Sequence, residues 1–435
     1  MTARNRRHQR PGSGQTHRSG GLPTTLPLAV SPSGAVAQAI LQRKTTHPAV
    51  YRKRIVQLSG NPKVGDWVAV SHGDTESGQP ELFAYGLYNP KSEVAIRLVH
   101  WSENPPSEAS WDLLIERAVS LRTEALGLDE VTNCYRVIHA EADGFPGLAV
   151  DRFDNCLSAE VFSAAVSPRV EEILGRIAAK MGTEHWLISP SPHLLSQEGF
   201  ELQSRSSPNL PEQVVVTENG TRYRVHFGSG HKTGFFCDQR DNRLRLSQLC
   251  RDRSVLDLCC YTGGFSVMAG HRGQASEVTG IDLDAAPLEI ARQNAALNQV
   301  RVKFTQADAF AYMRDMLRGK RQFDIVVLDP PKLIRNRNEI EEGTKKHFDL
   351  NRLAMQLVAP GGLMLTCSCA GLLPESEFVR LVRAAARSAF LPTEFNPHPI
   401  PRNMQILSKT GAAACHPISA NCPETEYFKS LWLRL

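Results

Sequence analysis

The residues with the most chemical content lie in the second half of the chain. The run Leu256-Asp257-Leu258-Cys259-Cys260 is apolar and of strand length, and it breaks into Tyr261-Thr262-Gly263-Gly264 before Phe265 resumes an apolar rhythm. A glycine pair lets the backbone come close to a ligand, although the same pair also serves plain strand-to-helix loops. Asp282, 25 residues after Asp257, closes the next apolar run, Glu277 to Asp282. An acid at the carboxyl end of a neighbouring strand can accept hydrogen bonds from both hydroxyls of a ribose. Asp308 follows the run Val302 to Gln306, and Asp329 follows Phe323 to Leu328 within Asp329-Pro330-Pro331-Lys332. Four chemically useful positions thus fall in order at four strand ends, a pattern more specific than any of its members.

Those positions need a scaffold of alternating elements. From Ser254 onward the sequence predicts strands at Val255 to Cys260, Val278 to Asp282, Val302 to Gln306, Phe323 to Leu328 and Gly362 to Cys367. Helices separate them: one from Phe265, then Ala285 to Leu297 with Asp284 as N-cap, Ala309 to Leu317, and Lys346 to Val358. Strand and crossover helix in repetition mean a mostly parallel sheet covered on both faces, with ligands at the carboxyl ends of its strands. Tyr427 to Leu435 has no helix after it and is expected to insert antiparallel, beside Leu391 to Phe395. Upstream, Cys237-Asp238-Gln239-Arg240 opens the helix that precedes the first strand. Gln239 and Arg240 are candidate ligand contacts, with helix capping the plainer alternative.

The first half reads differently. Met1 to about residue 35 carries arginines, no acids and few apolar residues, and is expected to be a disordered basic tail. Short strands around Val64–Val70, Leu82–Leu87 and Val94–Val99 predict a small β-barrel over 36–108. Its opening segment, Arg43 to Arg54, holds five Lys/Arg residues with His47 and Tyr51, which suits an RNA-facing strip as well as it suits a solvated edge. A small α/β unit follows over 109–226. It has helices near Ser110–Gly127 and Pro168–Met181, and an Asn219-Gly220 hairpin marks the join to the domain 227–435.

Bulk properties narrow the class. The chain has 435 residues, enough for two or three domains, and a formal net charge of +5 that permits a polyanionic partner. No run of about 18 apolar residues is present, so no membrane span is expected. The ten cysteines include no CxxC pair and point to reduced thiols in the cytosol, not to a disulfide scaffold or a zinc ribbon. No metal is expected, and a homodimer is left open.

The strand-end set resembles the class I S-adenosylmethionine-dependent methyltransferase plan. Tyr261-Thr262-Gly263-Gly264 is not GxGxxG, which weakens a nicotinamide reading. His231-Lys232-Thr233-Gly234 with Asp238-Gln239-Arg240, Tyr261 to Phe265, Asp329 to Lys332 and Ser368-Cys369-Ala370-Gly371 is more narrowly similar to the PUA-domain-containing bacterial large-subunit ribosomal RNA cytosine-C5 methyltransferases, over about Leu41 to Leu435. The resemblance implies an α/β fold: a C-terminal Rossmann-like domain with a seven-stranded sheet, its last strand antiparallel, preceded by a PUA-like barrel and a small α/β domain. It implies S-adenosylmethionine as cofactor and RNA of the large subunit as partner. The cofactor would be held by Gln239, Arg240, Asp257, Tyr261, Thr262, Gly263, Phe265, Asp282, Asp308 and Asp329. The catalytic set would be Cys369, Asp329 and Lys332.

Cytosine carbon 5 is a poor nucleophile until a thiolate adds at carbon 6, which is why such a fold needs a thiol beside the cofactor. In this family motif that thiol is Cys369. Asp329 could hydrogen-bond the base, and Lys332 could favour the thiolate or bind phosphate. Two departures stand out. Ala370 replaces the serine usual after the family cysteine, and no cysteine flanks Pro330-Pro331, so another group must remove the carbon-5 proton. Cys259, Cys260 and Cys367 are read as packing. The alternatives are transfer to a base nitrogen, against which Lys332 stands where an aromatic residue would stack a flipped base, and a non-catalytic RNA-binding ribosome assembly factor.

Overall fold

The computed structural model describes residues 22–31, 36–73, 79–227, 234–390 and 401–435. His231–Thr233 of the sequence motif and the expected strand at Leu391–Phe395 lie outside the described residues.

The first unit is a six-stranded sheet built from strands Ala37–Leu41, Ala49–Tyr51, Ile55–Ser59, Trp67–His72, Glu81–Tyr88 and Val94–His100. Ala37–Leu41 runs parallel to Trp67–His72, and the other pairings are antiparallel. Two-residue periodicity decides what each face does. Val68 and Val70 pack with Phe83, Ile96 and Leu98 inside this unit. Trp67 and Ala69, which alternate with them, join the core of the next unit beside Trp111, Ile115 and Leu157.

Part of the expected tail is instead a packed strap, because Leu22–Ser31 has partners that offset its ordering entropy. Leu28 is fully buried. Its carbonyl accepts both indole N–H groups, from Trp67 at 3.1 Å and Trp111 at 3.0 Å. Arg169 donates to the Pro27 carbonyl at 2.8 Å and the Gly65 carbonyl at 2.7 Å, closing the strap over the seam between the two units.

The second unit has a five-stranded sheet with Cys134–His139 at one edge, and helices Glu108–Ser120 and Val170–Met181 pack on it. The predicted hairpin forms at Gln213–Glu218 and Thr221–His226, with Asn219 at φ 50° and Gly220 at φ 81°, as its tight turn requires. It docks on the third unit. Arg222 and Arg224 donate backbone N–H to Asn298 and Asn294 at 2.9 and 2.8 Å, and Arg243 makes a bidentate pair with the fully buried Glu218, both bonds 2.7 Å.

The third unit carries a seven-stranded sheet: β1 (Ser254–Leu258), β2 (Glu277–Asp282), β3 (Lys303–Gln306), β4 (Phe323–Leu328), β5 (Val358–Ser368), β6 (Gln405–Thr410) and β7 (Lys429–Arg434). Its order is β3-β2-β1-β4-β5-β7-β6. Strands β1 to β5 are parallel, and β7 inserts antiparallel between β5 and β6. Among the described residues the second partner of the last strand is therefore β6. Helices α1 (Arg240–Leu249), α2 (Gly264–His271), α3 (Ala285–Leu297), α4 (Ala309–Arg318), α5 (Ile340–Leu357) and α6 (Glu375–Arg387) cover the faces. The strand order reverses at β1, between β2 and β4, which opens a ligand crevice at the carboxyl ends.

Candidate active site

The sheet order sets the site. Asp308, Asp282, the Tyr261–Gly263 turn, Asp329 and Cys369 lie at or just past the ends of β3, β2, β1, β4 and β5, five adjacent strands in one row. Cys259 directly follows β1 in this row. Burial pushes this thiol up, and Asp282, Asp329, Asp257 and Asp308 all add to the effect.

The turn after β1 is forced into an unusual backbone. Cys259, Tyr261 and Gly263 have φ of 63°, 51° and 78°. Two non-glycine residues in that region within three positions signal a turn held by its surroundings. The holders are identifiable. Tyr261 donates its N–H to Asp282 Oδ2 at 2.8 Å, and Cys260 donates to the Ile281 carbonyl at 2.9 Å. Asn294 of α3 donates from Nδ2 to the Thr262 carbonyl at 3.0 Å while accepting from the hairpin. The Tyr261 ring stands edge-on to Phe236, centroids 5.2 Å apart. Thr262 is buried. A Cβ on Gly263 would meet Ala291 Cβ and Phe304 Cζ, each at 3.1 Å.

Asp257 lies buried beneath this turn. Its Oδ2 accepts from Ser266 N at 3.0 Å and Ser266 Oγ at 2.6 Å, while Oδ1 is buried with no hydrogen-bond partner. Burial is the main reason its pKa rises to about 7. A buried carboxylate oxygen left unpaired costs free energy until a donor or cation reaches it. Asp282 accepts from Tyr261 N and, through Oδ1, from Asp284 N at 3.1 Å, with lone pairs left for hydroxyl groups. Asp308 is exposed and uses Oδ1 to cap α4, accepting from Ala311 N at 2.9 Å. These groups fit a ligand with an ammonium end and a ribose.

At the other side of the row, Gln239 donates from Nε2 to Asp329 Oδ2 at 2.9 Å and to Cys367 Sγ at 3.4 Å. Gln239 therefore sits behind Asp329 as an orienting group. Arg240 does not join the row: its guanidinium is buried against Cys415 Sγ at 3.3 Å and pairs with Asp241 at 3.3 Å. Phe265 likewise commits its ring to the core beside Leu246, Val255 and Trp432. Lys332 is exposed on the loop after β4. Cys367 is fully buried in the same core as Phe265, as the packing reading expects, and burial holds its thiol far above the ordinary range.

Sequence reasoning missed Asn294, which looks like any polar helix residue, and Lys429. Lys429 opens β7, pairs in register with Ser368, and donates from Nζ to the carbonyls of Ala370 and Leu373, both at 2.6 Å. Ser368 lies 3.2 Å from His347 Nε2, and the nearby Thr366 donates to Asn351 Oδ1 at 2.7 Å, so the end of β5 is fastened to α5. Tyr427, two residues before Lys429, donates to Asp238 Oδ2 at 2.6 Å and stacks near His139 and His416. The second unit thus reaches the wall of the site.

A family model for S-adenosylmethionine-dependent methyltransferases matches residues 136–402, and a PUA-like domain model matches residues 38–101. The chain belongs to the S-adenosylmethionine-dependent methyltransferase family. "Ribosomal RNA large subunit methyltransferase I" of Pseudoalteromonas atlantica is 34% identical over 392 residues, covering 88% of this chain and 94% of that one. The protein of the same name from Photobacterium profundum is 32% identical over 392 residues, with the same coverage. In fold, the methyltransferase resembles SMU.776, solved as a complex with SAH, at TM-score 0.74 and 18% identity over 92% of this chain and 100% of that one. The orphaned oxygen of Asp257 and the remaining lone pairs of Asp282 suit the methionine and ribose parts of S-adenosylmethionine.

The described residues also include His47, Cys422 and Glu424 in one cluster across the first and third units. Ala49 N donates to His47 Nδ1 at 3.0 Å, so the ring proton sits on Nε2 and is given to Glu424 at 3.1 Å. That tautomer suits a hydrogen-bonded bridge and leaves no lone pair on Nε2 for a metal.

Proposed function

We propose that the chain methylates carbon 5 of a cytosine in large-subunit ribosomal RNA in the cytoplasm, through a covalent adduct of Cys369 with carbon 6. The observation that carries this reading is the place of Cys369, half-buried just past the end of β5 and next in the sheet to Asp329 at the end of β4. When bound, S-adenosylmethionine supplies an electrophilic methyl group on a sulfonium. Asp257 would hold its ammonium end, Asp282 its ribose and Asp308 its adenine side. The Cys369 thiolate forms an S–C6 bond and shifts electron density to carbon 5. Carbon 5 then takes the methyl, a base removes the carbon-5 proton, and the S–C6 electron pair returns to sulfur. Asp329, oriented by Gln239, is placed to hydrogen-bond the cytosine edge.

Electrostatics favours Cys369 over Cys259, the other thiol at a strand end that is not fully buried. Burial and then the Asp282, Asp329, Asp257 and Asp308 carboxylates push the Cys259 thiol up, whereas the Ala370 carbonyl, next after Cys369, holds the Lys429 ammonium. RNA would approach over the first unit, where Arg43, Lys44, Tyr51, Arg52 and Lys53 are exposed along one segment. Arg52 has a structural share as well, donating to the carbonyls of Asn89, Pro90 and Ser92. The names of the relatives support ribosomal RNA of the large subunit as the substrate.

The deciding experiment incubates the protein with unmodified large-subunit RNA and methyl-labelled S-adenosylmethionine, then digests the RNA to nucleosides. Label in 5-methylcytidine is expected. Label in an N-methylated nucleoside would replace this reading with transfer to a base nitrogen, and no label despite cofactor binding would favour an assembly factor.

A further inference from the structure

Lys429 has no place in the reading of the motifs, yet its side chain is held in an unusual way. It is 6% exposed, and its Nζ donates to two main-chain carbonyls, Ala370 and Leu373, at 2.6 Å each. Lysine is among the residues least often buried, and a buried lysine normally pairs with a carboxylate. Here it instead clamps the loop that begins at Cys369. The register places it on β7 directly opposite Ser368 of β5, the residue before the thiol. The two carbonyls that hold the ammonium lie one and four residues past Cys369, so the charge is fixed at the start of the loop that carries the thiol.

We propose that Lys429 is a positioning residue for the methyl transfer, holding the Cys369 loop at the mouth of the site and favouring the thiolate through its fixed positive charge. The Cys369 proton leaves to solvent, and Lys429 stays protonated throughout. This inference rests on Cys369 being the nucleophile.

The surroundings are consistent with such a charge. Burial lowers the Lys429 pKa, and Cys369, Glu426 and Glu375 act in the opposite direction, while Lys332 adds a smaller repulsion. His347, behind Ser368, is pushed down to about 4, chiefly by burial and then by Lys429, so it stays neutral and does not compete as the cation. Tyr427 and Cys367 also face the Cys369 thiol, and burial raises both, with Asp238 and Asp329 respectively adding to the rise; the Asp329 carboxylate at the neighbouring strand end opposes a thiolate, and Arg136 acts on Tyr427 from the second unit. Lys429 is thus a buried cation whose charge is fixed on the loop that carries the thiol. A fixed positive charge within about 4–6 Å lowers an acid's pKa by about 1–3 units.

The test follows the pH dependence of Cys369 alkylation by iodoacetamide in the full-length protein, read on the peptide carrying Cys369 by mass spectrometry. Lys429→Gln keeps a donor and removes the charge, whereas Lys429→Met removes both. The Cys369 pKa is expected to rise by about 1 unit or more in both variants. The methyl-transfer rate at neutral pH should fall about tenfold or more in Lys429→Gln, recover in part at higher pH, and do so at unchanged S-adenosylmethionine affinity. An alkylation profile for Lys429→Gln that superimposes on the parent overturns the proposal.

Should both variants fail to fold, the reciprocal measurement decides. In protein labelled with 13C-lysine, Cys369→Ala should lower the pKa of the Lys429 signal, and an unmoved titration overturns the proposal. Alkylation reports the thiol alone. Failure of Cys369 as nucleophile would show separately, as transfer that survives Cys369→Ala.

Discussion

Replacing Asp257 with asparagine separates its cost to the fold from its use to the cofactor. The carboxyl has an ordinary pKa of 3.8 and is pushed up to about 7 in the fold, chiefly by burial. A folded-state pKa above the unfolded one means that the folded protein keeps its proton longer. Stability therefore falls as pH rises from about 4 to about 7 and then levels off. The difference corresponds to on the order of 4 kcal/mol. Asparagine keeps an acceptor for Ser266 and carries no charge, so Asp257→Asn should lose this pH dependence. In urea unfolding its advantage over the parent should grow by roughly 3–4 kcal/mol between pH 4 and pH 8. Cofactor binding should move the other way. An ammonium reaching Oδ1 favours the ionised form, so parent affinity should weaken as pH drops below about 7, and binding should release protons. Asp257→Asn should bind S-adenosylmethionine about 10- to 100-fold more weakly at pH 8, the worth of a charged hydrogen bond. Calorimetry in buffers of different ionisation enthalpy measures both quantities. Equal affinity for parent and variant would refute the role given to the orphaned oxygen.

Other consequences follow from single contacts. Arg243→Met leaves the buried Glu218 carboxylate unpaired and should cost about 3–5 kcal/mol in urea unfolding, with Glu218→Gln added to it restoring much of the loss. Gln239→Ala removes the side chain that orients Asp329 and should lower the transfer rate more than tenfold while leaving the unfolding midpoint within a few degrees; an unchanged rate would remove Gln239 from the site. Gly263→Ala places a Cβ against Ala291 and Phe304 at a φ of 78°. It should cost about 1–3 kcal/mol and weaken cofactor binding with it, measured by thermal unfolding with and without S-adenosylmethionine.

Much of the strand-end row was readable in the chain because its signals are local. A strand, a glycine turn and an acid at the next strand end are contiguous patterns, and Asp257, Gly263, Asp282 and Asp329 fall where those patterns put them. The asymmetric cases are instructive. Arg240 and Phe265 neighbour site residues in sequence but turn into the protein, one to Cys415 and the other to the core, and linear adjacency cannot register which way a side chain faces. Lys429 was invisible because its acceptors are backbone carbonyls 59 and 56 residues away, brought to it by the antiparallel register of β7 on β5. Leu22–Ser31 read as tail because its partners are two tryptophan N–H groups and an arginine in other units, and composition alone does not show them.

Attack of Cys369 on the base is the step on which the mechanism turns. Large-subunit RNA transcribed with 5-fluorocytidine blocks the final proton removal, so the adduct formed on methyl transfer cannot resolve. With S-adenosylmethionine present, a protein–RNA species stable to denaturing electrophoresis should form, and peptide mapping should place the crosslink on Cys369. Cys369→Ala should give no such species, and an adduct that persists in this variant would place the nucleophile on another residue.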